Sequence, residues 1–275
     1  MSKFLFFYDE HSVDYVRNKK IKIYRKAKIE KWIDINLVCY NISMLYIVPT
    51  PIGNLQDITL RALEILKTAD IVLAEDTRRT KTLLTHFLID KPIVRYNEND
   101  ERSAAHCLNL CKTKTCALVC DGGTPCISDP GWKLARDCYA AAVKVTALPG
   151  PSALTCALSA AGITGGAFTF LGFLPRKTGK INKMLEAAYA LEKPVVIYES
   201  PYRVIKLLEI ISAALGPDTP VIIFRELTKV FEERFAAPVS VALENLKKRN
   251  KILGEFVIII NRPAVQEPDN ENGNF

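Results

Sequence analysis

Apolar and polar positions follow two periods along this chain, and the period switches regularly. From Met44 onward, short apolar runs of strand length give way to stretches in which Leu or Ile recurs every three or four residues. The runs predict strands over Leu45–Val48, Ile71–Ala74, Ile93–Tyr96, Ala117–Cys120 and Val143–Leu148. The helical spacing predicts helices over Thr59–Lys67, Thr80–Phe87, Arg102–Cys111, Lys133–Ala142 and Ala153–Ala161. Repeated strand–helix alternation argues for a mostly parallel sheet with helices on both faces. Gly162–Ala167 suits a hinge. After it come strands at Phe168–Phe173, Val195–Tyr198, Val221–Phe224 and Glu255–Ile260, with helices at Ile181–Leu191, Tyr202–Leu215 and Val239–Lys248. The fold class is therefore α/β in two domains, 44–163 and 168–262. A polar, acidic tail, 263–275, is expected to be disordered.

Charge adds a third region. Residues 1–43 hold nine Lys/Arg against five Asp/Glu, whereas the remaining 232 residues carry 28 against 25. The first segment reads as a basic, poorly ordered appendage, with an RNA-binding arm as the sharper alternative. A mildly basic body fits a polyanionic partner without demanding one.

The stretch from Val145 to Pro175 lacks charge and exceeds a membrane span in length, but Pro149, Gly150, Pro151, Gly162, Gly165, Gly166 and Gly172 interrupt it. No membrane helix is predicted. The apolar run Phe4–Tyr8 is too short for a secretion signal, so a cytoplasmic protein is expected. Its eight cysteines lack the C-x-x-C spacing of zinc ribbons and read as reduced, mostly buried thiols, with no metal expected.

Candidate chemistry lies at the strand ends. Four loops follow strands of the first half: Pro49–Asn54, Glu75–Arg78, Asp121–Gly131 and Pro149–Ser152. In a parallel sheet all four open on one edge, where ligands bind. They are rich in glycine, proline and short polar side chains, which suits a small polar cofactor held largely through the main chain. No G-x-G-x-x-G, no G-x-x-x-x-G-K-[ST] and no G-x-S-x-G occurs. His11, His86 and His106 are scattered, and the latter two read as ordinary helix positions. In the second half, Tyr198–Arg203 and Arg225–Lys229 place ionisable clusters just after apolar strands. Ser200 and Pro201 also suit a helix start. The charges beside them either pair structurally or line a site.

These segments carry a resemblance. Leu45–Leu55, Ala74-Glu75-Asp76-Thr77-Arg78, Asp121–Pro125 with Ser128–Gly131, Pro149–Leu154, Gly172–Pro175, Tyr198–Pro201 and Arg225–Lys229 stand in the order found in the small-subunit ribosomal RNA methyltransferase I family. That family lies within the tetrapyrrole methylase superfamily, and the resemblance spans about residues 44–262. It implies S-adenosylmethionine in a cleft between the two domains, 2′-O-methylation of a cytidine ribose in the decoding region of 16S rRNA, and a homodimer. This chain departs from the family's usual residues at Cys120, Gly122 and Tyr202.

On that footing, Pro51, Gly53, Asp121, Gly122, Gly123, Thr124, Ser128, Pro149, Gly150, Ser152 and Ala153 are expected at the cofactor. Candidate proton acceptors are Asp76, Glu199 and Glu226, with Arg78, Arg225 and Lys229 able to stabilise charge. Arg176, Lys177, Lys180, Arg203 and Arg225 are the expected RNA contacts. Methylation of a small tetrapyrrole macrocycle and non-catalytic RNA binding are the alternatives.

Overall fold

In the computed structural model, residues 43–163 and 166–261 are described. The extension and the tail expected from sequence lie outside them, as do two residues of the hinge.

The first half builds five parallel strands, β1 (Met44–Ile47), β2 (Ile71–Ala74), β3 (Ile93–Arg95), β4 (Thr115–Val119) and β5 (Lys144–Ala147), in the order β3-β2-β4-β1-β5. Their side chains alternate between two cores. Leu45, Ile47, Leu73 and Leu118 point to one face and pack under α3 (Glu101–Cys111) and α4 (Trp132–Ala140). Val48, Val72, Ala117 and Val119 point to the other, under α1 (Leu60–Thr68) and α2 (Thr77–His86). Burial on both faces explains why these strands read as unbroken apolar runs. Each fully buried Leu contributes about 1.5–3 kcal/mol.

The second sheet joins β6 (Thr169–Phe173), β7 (Val195–Glu199), β8 (Pro220–Arg225), β9 (Glu233–Pro238) and β10 (Phe256–Ile260) in the order β6-β7-β10-β8-β9. Only β6 and β7 are parallel; the other pairs are antiparallel. Helices α6 (Thr178–Tyr189), α7 (Val204–Leu215) and α8 (Val239–Lys247) cover one face. The opposite face is covered from the first half: α5 (Ala153–Ala161) sets Ala157 and Ala161 against Val196, Phe224 and Val257. By its packing α5 goes with the second sheet, and the Pro149–Ser152 loop becomes the joint. The hydrophobic pattern does not predict strand β9. It is an edge strand whose burial alternates, with Phe235 as its single large apolar residue and Pro238 at its end.

Candidate active site

Loops leaving the C-terminal ends of β1, β2, β4 and β5 meet as predicted. The β1 and β4 loops are laced together: Thr50 and Gly123 exchange backbone hydrogen bonds of 2.9 and 2.8 Å, and Thr50 Oγ1 donates to the Cys120 carbonyl at 3.0 Å. Thr50 is 1% exposed, so this hydroxyl is part of the scaffold. The β5 loop joins through Thr124 Oγ1, which donates to Pro151 O at 3.0 Å. Gly123 has φ +92°, and Gly131, which opens α4, has φ +136°. A Cβ at Gly131 would stand 2.6 Å from Leu118 Cδ2, so both the angle and the space require glycine. A Cβ on Gly122 would come within 3.2 Å of Pro51 O.

The second sheet closes the opposite side. Ser128 Oγ is buried without a hydrogen-bond partner and faces Gly172, where the register of β6 shifts. Tyr198 stacks edge-on against Phe170 and Phe173. Burial raises the pKa of its phenol, against hydrogen bonds from the Leu154 backbone and the Ser152 side chain at the start of α5. Pro51, Asp121–Thr124, Ser128, Pro149 and Ser152 thus come to one joint between two sheets.

Its electrostatics are acidic. Desolvation raises the pKa of Asp121, with Arg79 at 3.2 Å opposing and Asp76 and Glu255 adding to the rise. Desolvation likewise raises Asp129, against a hydrogen bond with the Cys120 thiol. Asp76 differs. It caps α2, its Oδ1 accepting from Arg78 N at 2.9 Å and Arg79 N at 3.2 Å, and these bonds lower its pKa. Arg78 has no ion-pair partner among the described residues.

The charged candidates of the second half are engaged elsewhere. Glu199 is 2% exposed, and its Oε1 accepts from Ser200 N. Its Oε2 lies 3.3 Å from Arg203 Nη2 without hydrogen-bond alignment. Arg203 also donates to the Leu174 and Pro175 carbonyls, tying the ends of β6 and β7. Arg225 pairs with Glu233 at 3.0 Å. Lys229 donates to Glu226 at 2.8 Å and to Glu255 at 3.0 Å. Desolvation alone would raise Glu226, but the Lys229 ammonium and the Glu255 N–H outweigh it, and its pKa is lowered. Glu226 and Thr228 hold φ of 54° and 64° in this loop. It braces the β1 loop: Thr228 Oγ1 accepts from Asn54 N at 3.1 Å, and Lys229 leaves no room for a side chain at Gly53. Arg176, Lys177 and Lys180 lie exposed at the start of α6, and Tyr202 is 92% exposed.

Beside the joint, on the α2 side, lies a cavity of about 340 Å³ lined by Thr50, Pro51, Arg79, Leu83, His86 and Asp121. Nothing in the sequence singles out Arg79 or Leu83, and His86 reads there as an ordinary helix position. The available signal is a helix of cations and threonines without one carboxylate, which acquires meaning only once Asp121 approaches it. Among the described residues the seven cysteines are free thiols, no cluster of three or more metal-ligating side chains occurs, and no helix is long and apolar enough to cross a membrane.

The family model of Tetrapyrrole (Corrin/Porphyrin) Methylases matches residues 44–242. The chain belongs to the tetrapyrrole methylases. Among curated members of this family, the ribosomal RNA small subunit methyltransferase I of Escherichia coli O157:H7 is 44% identical over 230 residues, covering 82% of this chain and 80% of the relative. That of Thermotoga maritima is 43% identical over 218 residues, covering 78% and 97%. Solved tetrapyrrole methylase-type folds are more distant. A diphthine synthase superposes with TM-score 0.64 at 18% identity, covering 79% of this chain and 90% of that one. A uroporphyrin-III C-methyl transferase from Thermus thermophilus, complexed with S-adenyl homocysteine, gives 0.57 at 19%, covering 78% and 96%.

Proposed function

We propose that this tetrapyrrole methylase uses S-adenosylmethionine to methylate small-subunit ribosomal RNA, at the 2′-oxygen of a cytidine ribose in the decoding region. The observation that carries the reading is the joint itself, an acidic crevice between two sheets with an unpartnered buried hydroxyl, in a chain 44% identical to a small-subunit rRNA methyltransferase.

The residues present fit the cofactor. Its sulfonium and ammonium are cationic, and Asp121 and Asp129 supply negative charge. Ser128 Oγ is a buried polar atom lacking a partner, as a ligand-binding hydroxyl would be. Gly122 and Gly123 let the β4 loop pack directly against Pro51 and Ile52 of the β1 loop, which sets the wall the molecule would face. Pro51, Asp121–Thr124, Ser128 and Pro149–Ala153 would hold the molecule. When bound, it supplies an electrophilic methyl group on sulfur whose leaving group is a neutral thioether.

The protein's part is orientation and one proton. Fixing both reactants contributes up to roughly 7–11 kcal/mol. As the new O–C bond forms, the ribose hydroxyl becomes strongly acidic, so a carboxylate of low pKa suffices to take its proton. Asp76 fills this role with Oδ2, since capping engages Oδ1. Arg78 and Arg79 orient the acceptor. Glu199, Glu226 and Lys229 support the two loops from behind.

The test is transfer of tritium from labelled S-adenosylmethionine to small ribosomal subunits from cells lacking this enzyme, followed by ribose-methylation mapping. Label at one 2′-O-methylcytidine is expected. Label in a tetrapyrrole, or none in RNA, overturns the reading. Two copies per assembly in the cytoplasm belong to the same reading, and sedimentation of the purified protein tests the first point.

A further inference from the structure

Helix α2 presents chemistry that cofactor binding does not use. Its sequence, Thr77-Arg78-Arg79-Thr80-Lys81-Thr82-Leu83-Leu84-Thr85-His86, contains three permanent cations and no carboxylate. Thr80 and Leu84 form the buried stripe, which leaves Arg78, Arg79, Lys81, Thr82, Thr85 and His86 exposed. Two hollows flank the helix. One is the 340 Å³ cavity against Pro51 and Asp121; the other is an open groove of about 690 Å³ along Arg78, Lys81 and Thr85. Thr82 and His86 line both, so the two adjoin along this edge of the helix.

Their linings differ in kind. The inner cavity combines aliphatic walls, Leu55 and Leu83, with a cation and a carboxylate 3.2 Å apart, Arg79 and Asp121. That suits a flat heterocycle with polar edges, and its volume is that of a small-ligand pocket rather than of a strand. The outer groove has two cations, threonine hydroxyls and the His86 imidazole, and no carboxylate, which is the chemistry of phosphate binding. Lys81 reaches Asp90 at 3.2 Å, but Asp90 is 98% exposed, so this ion pair is weak and open to exchange. The inner hollow is a half-open recess, and a nucleoside that enters it to reach Asp121 leaves its stack.

We propose that α2 is a strand guide: the nucleoside to be methylated swings out into the cavity beside Arg79 and Asp121, while the flanking phosphates lie along Arg78, Lys81 and Thr85. This assignment rests on the reading of ribosomal RNA as the acceptor and names the surface that receives it. It places RNA recognition on the first half of the chain, beside the methyl donor.

Two variants test it, each measured on the full chain with small ribosomal subunits and labelled S-adenosylmethionine. Thr82 is an exposed helix position where the hollows adjoin, so Thr82→Trp narrows that junction without disturbing the core. Unchanged cofactor affinity by calorimetry is expected, with a fall in kcat/KM for subunits of roughly 100-fold, the scale on which a misplaced substrate loses rate. The double variant Arg78→Ala, Lys81→Ala is expected to raise KM and to flatten the dependence of log affinity on log salt by about 0.7 for each phosphate that is no longer neutralised. Wild-type turnover in Thr82→Trp, or an unchanged salt slope in the double variant, overturns the assignment while leaving the acceptor reading intact. Loss of cofactor affinity in Thr82→Trp also overturns it, because the inner cavity would then be the donor's. If the wild-type enzyme labels a subunit protein, or nothing, the acceptor reading fails and the strand guide fails with it.

Discussion

Asp121 is the residue on which two features of this enzyme depend at once. It follows the last residues of β4, in a loop whose turn is set by Gly123, and its carboxylate meets Arg79 from another element. Desolvation raises its pKa, the Arg79 guanidinium at 3.2 Å opposes the rise, and in the proposed site its carboxylate faces a cationic ligand. A hydrogen bond to a charged group contributes about 1.5–3 kcal/mol. Asp121→Ala is therefore expected to fold normally and to weaken S-adenosylmethionine binding by roughly 10- to 100-fold. Calorimetry with unchanged affinity would remove the residue from the donor site. Asp121 is legible in the sequence, because a Gly- and Pro-rich loop after a buried strand can be recognised without coordinates. Arg79 is not: nothing in the order Asp76-Thr77-Arg78-Arg79 says which arginine reaches a loop more than forty residues away.

At the scale of elements, two helices begin in the same way with different consequences. Asp76 caps α2 and Asp100 caps α3, each accepting from the second and third backbone N–H groups. The Asp100 carboxylate is used within α3, by Arg102 N and Ser103 N, so Asp100→Ala should cost about 1 kcal/mol in stability and leave kcat unchanged. Asparagine caps as well as aspartate but cannot take a proton. Asp76→Asn is accordingly expected to keep the melting temperature and to lose turnover by roughly 10²–10⁴-fold, the usual contribution of a proton acceptor. Full activity in Asp76→Asn would assign the proton to another group.

The β8–β9 hairpin carries a second prediction. Its Glu233 is paired with Arg249 at the end of α8 and with Arg225, and these cations hold its pKa down at about 2, against 4.5 for an ordinary glutamate. A depressed native pKa means stability that is present above the unfolded value and lost on acidification. Thermal melts between pH 5 and 2 should show wild type losing stability through that window more steeply than Glu233→Gln. Parallel curves would show that the pairing contributes nothing. Strand β9 itself escapes the sequence because an edge strand with one large apolar residue has little to bury and so little to mark it. The allegiance of α5 escapes for a related reason. Periodicity shows that a helix has an apolar face but not which sheet that face will meet.

Across the whole molecule, the proposed donor site is shared by the two sheets, and this should appear in thermodynamics. Ser128 of the β4 loop faces Gly172, and Ser152 and Leu154 meet Tyr198, so a donor held in the proposed site would touch both halves. At a concentration 100 times its Kd, S-adenosylmethionine should stabilise the folded chain by about 2.7 kcal/mol. Calorimetric melts should then shift upward by several degrees as one transition. A shift confined to one of two separable transitions would mean that only one sheet holds the ligand. The paired-sheet architecture is legible because each half repeats strand and helix on its own period. The antiparallel wiring of the second sheet is not, because strand direction leaves no trace in a pattern of buried positions.

That wiring has a consequence for how the enzyme comes into being. The final strand, β10, is also the middle of its sheet, hydrogen-bonded to β7 on one side and β8 on the other, and all five of its residues are buried. Until the ribosome has released this strand from its exit tunnel, β6–β7 and β8–β9 are two ribbons with nothing between them, and α5 has no finished surface on which to settle. A polypeptide interrupted between Arg203 and Phe256 would therefore carry every loop proposed here to touch the donor and still lack the strand that completes the second sheet. Synthesis through β10 becomes a condition of a finished second sheet, and with it of the joint that the sheet helps to form.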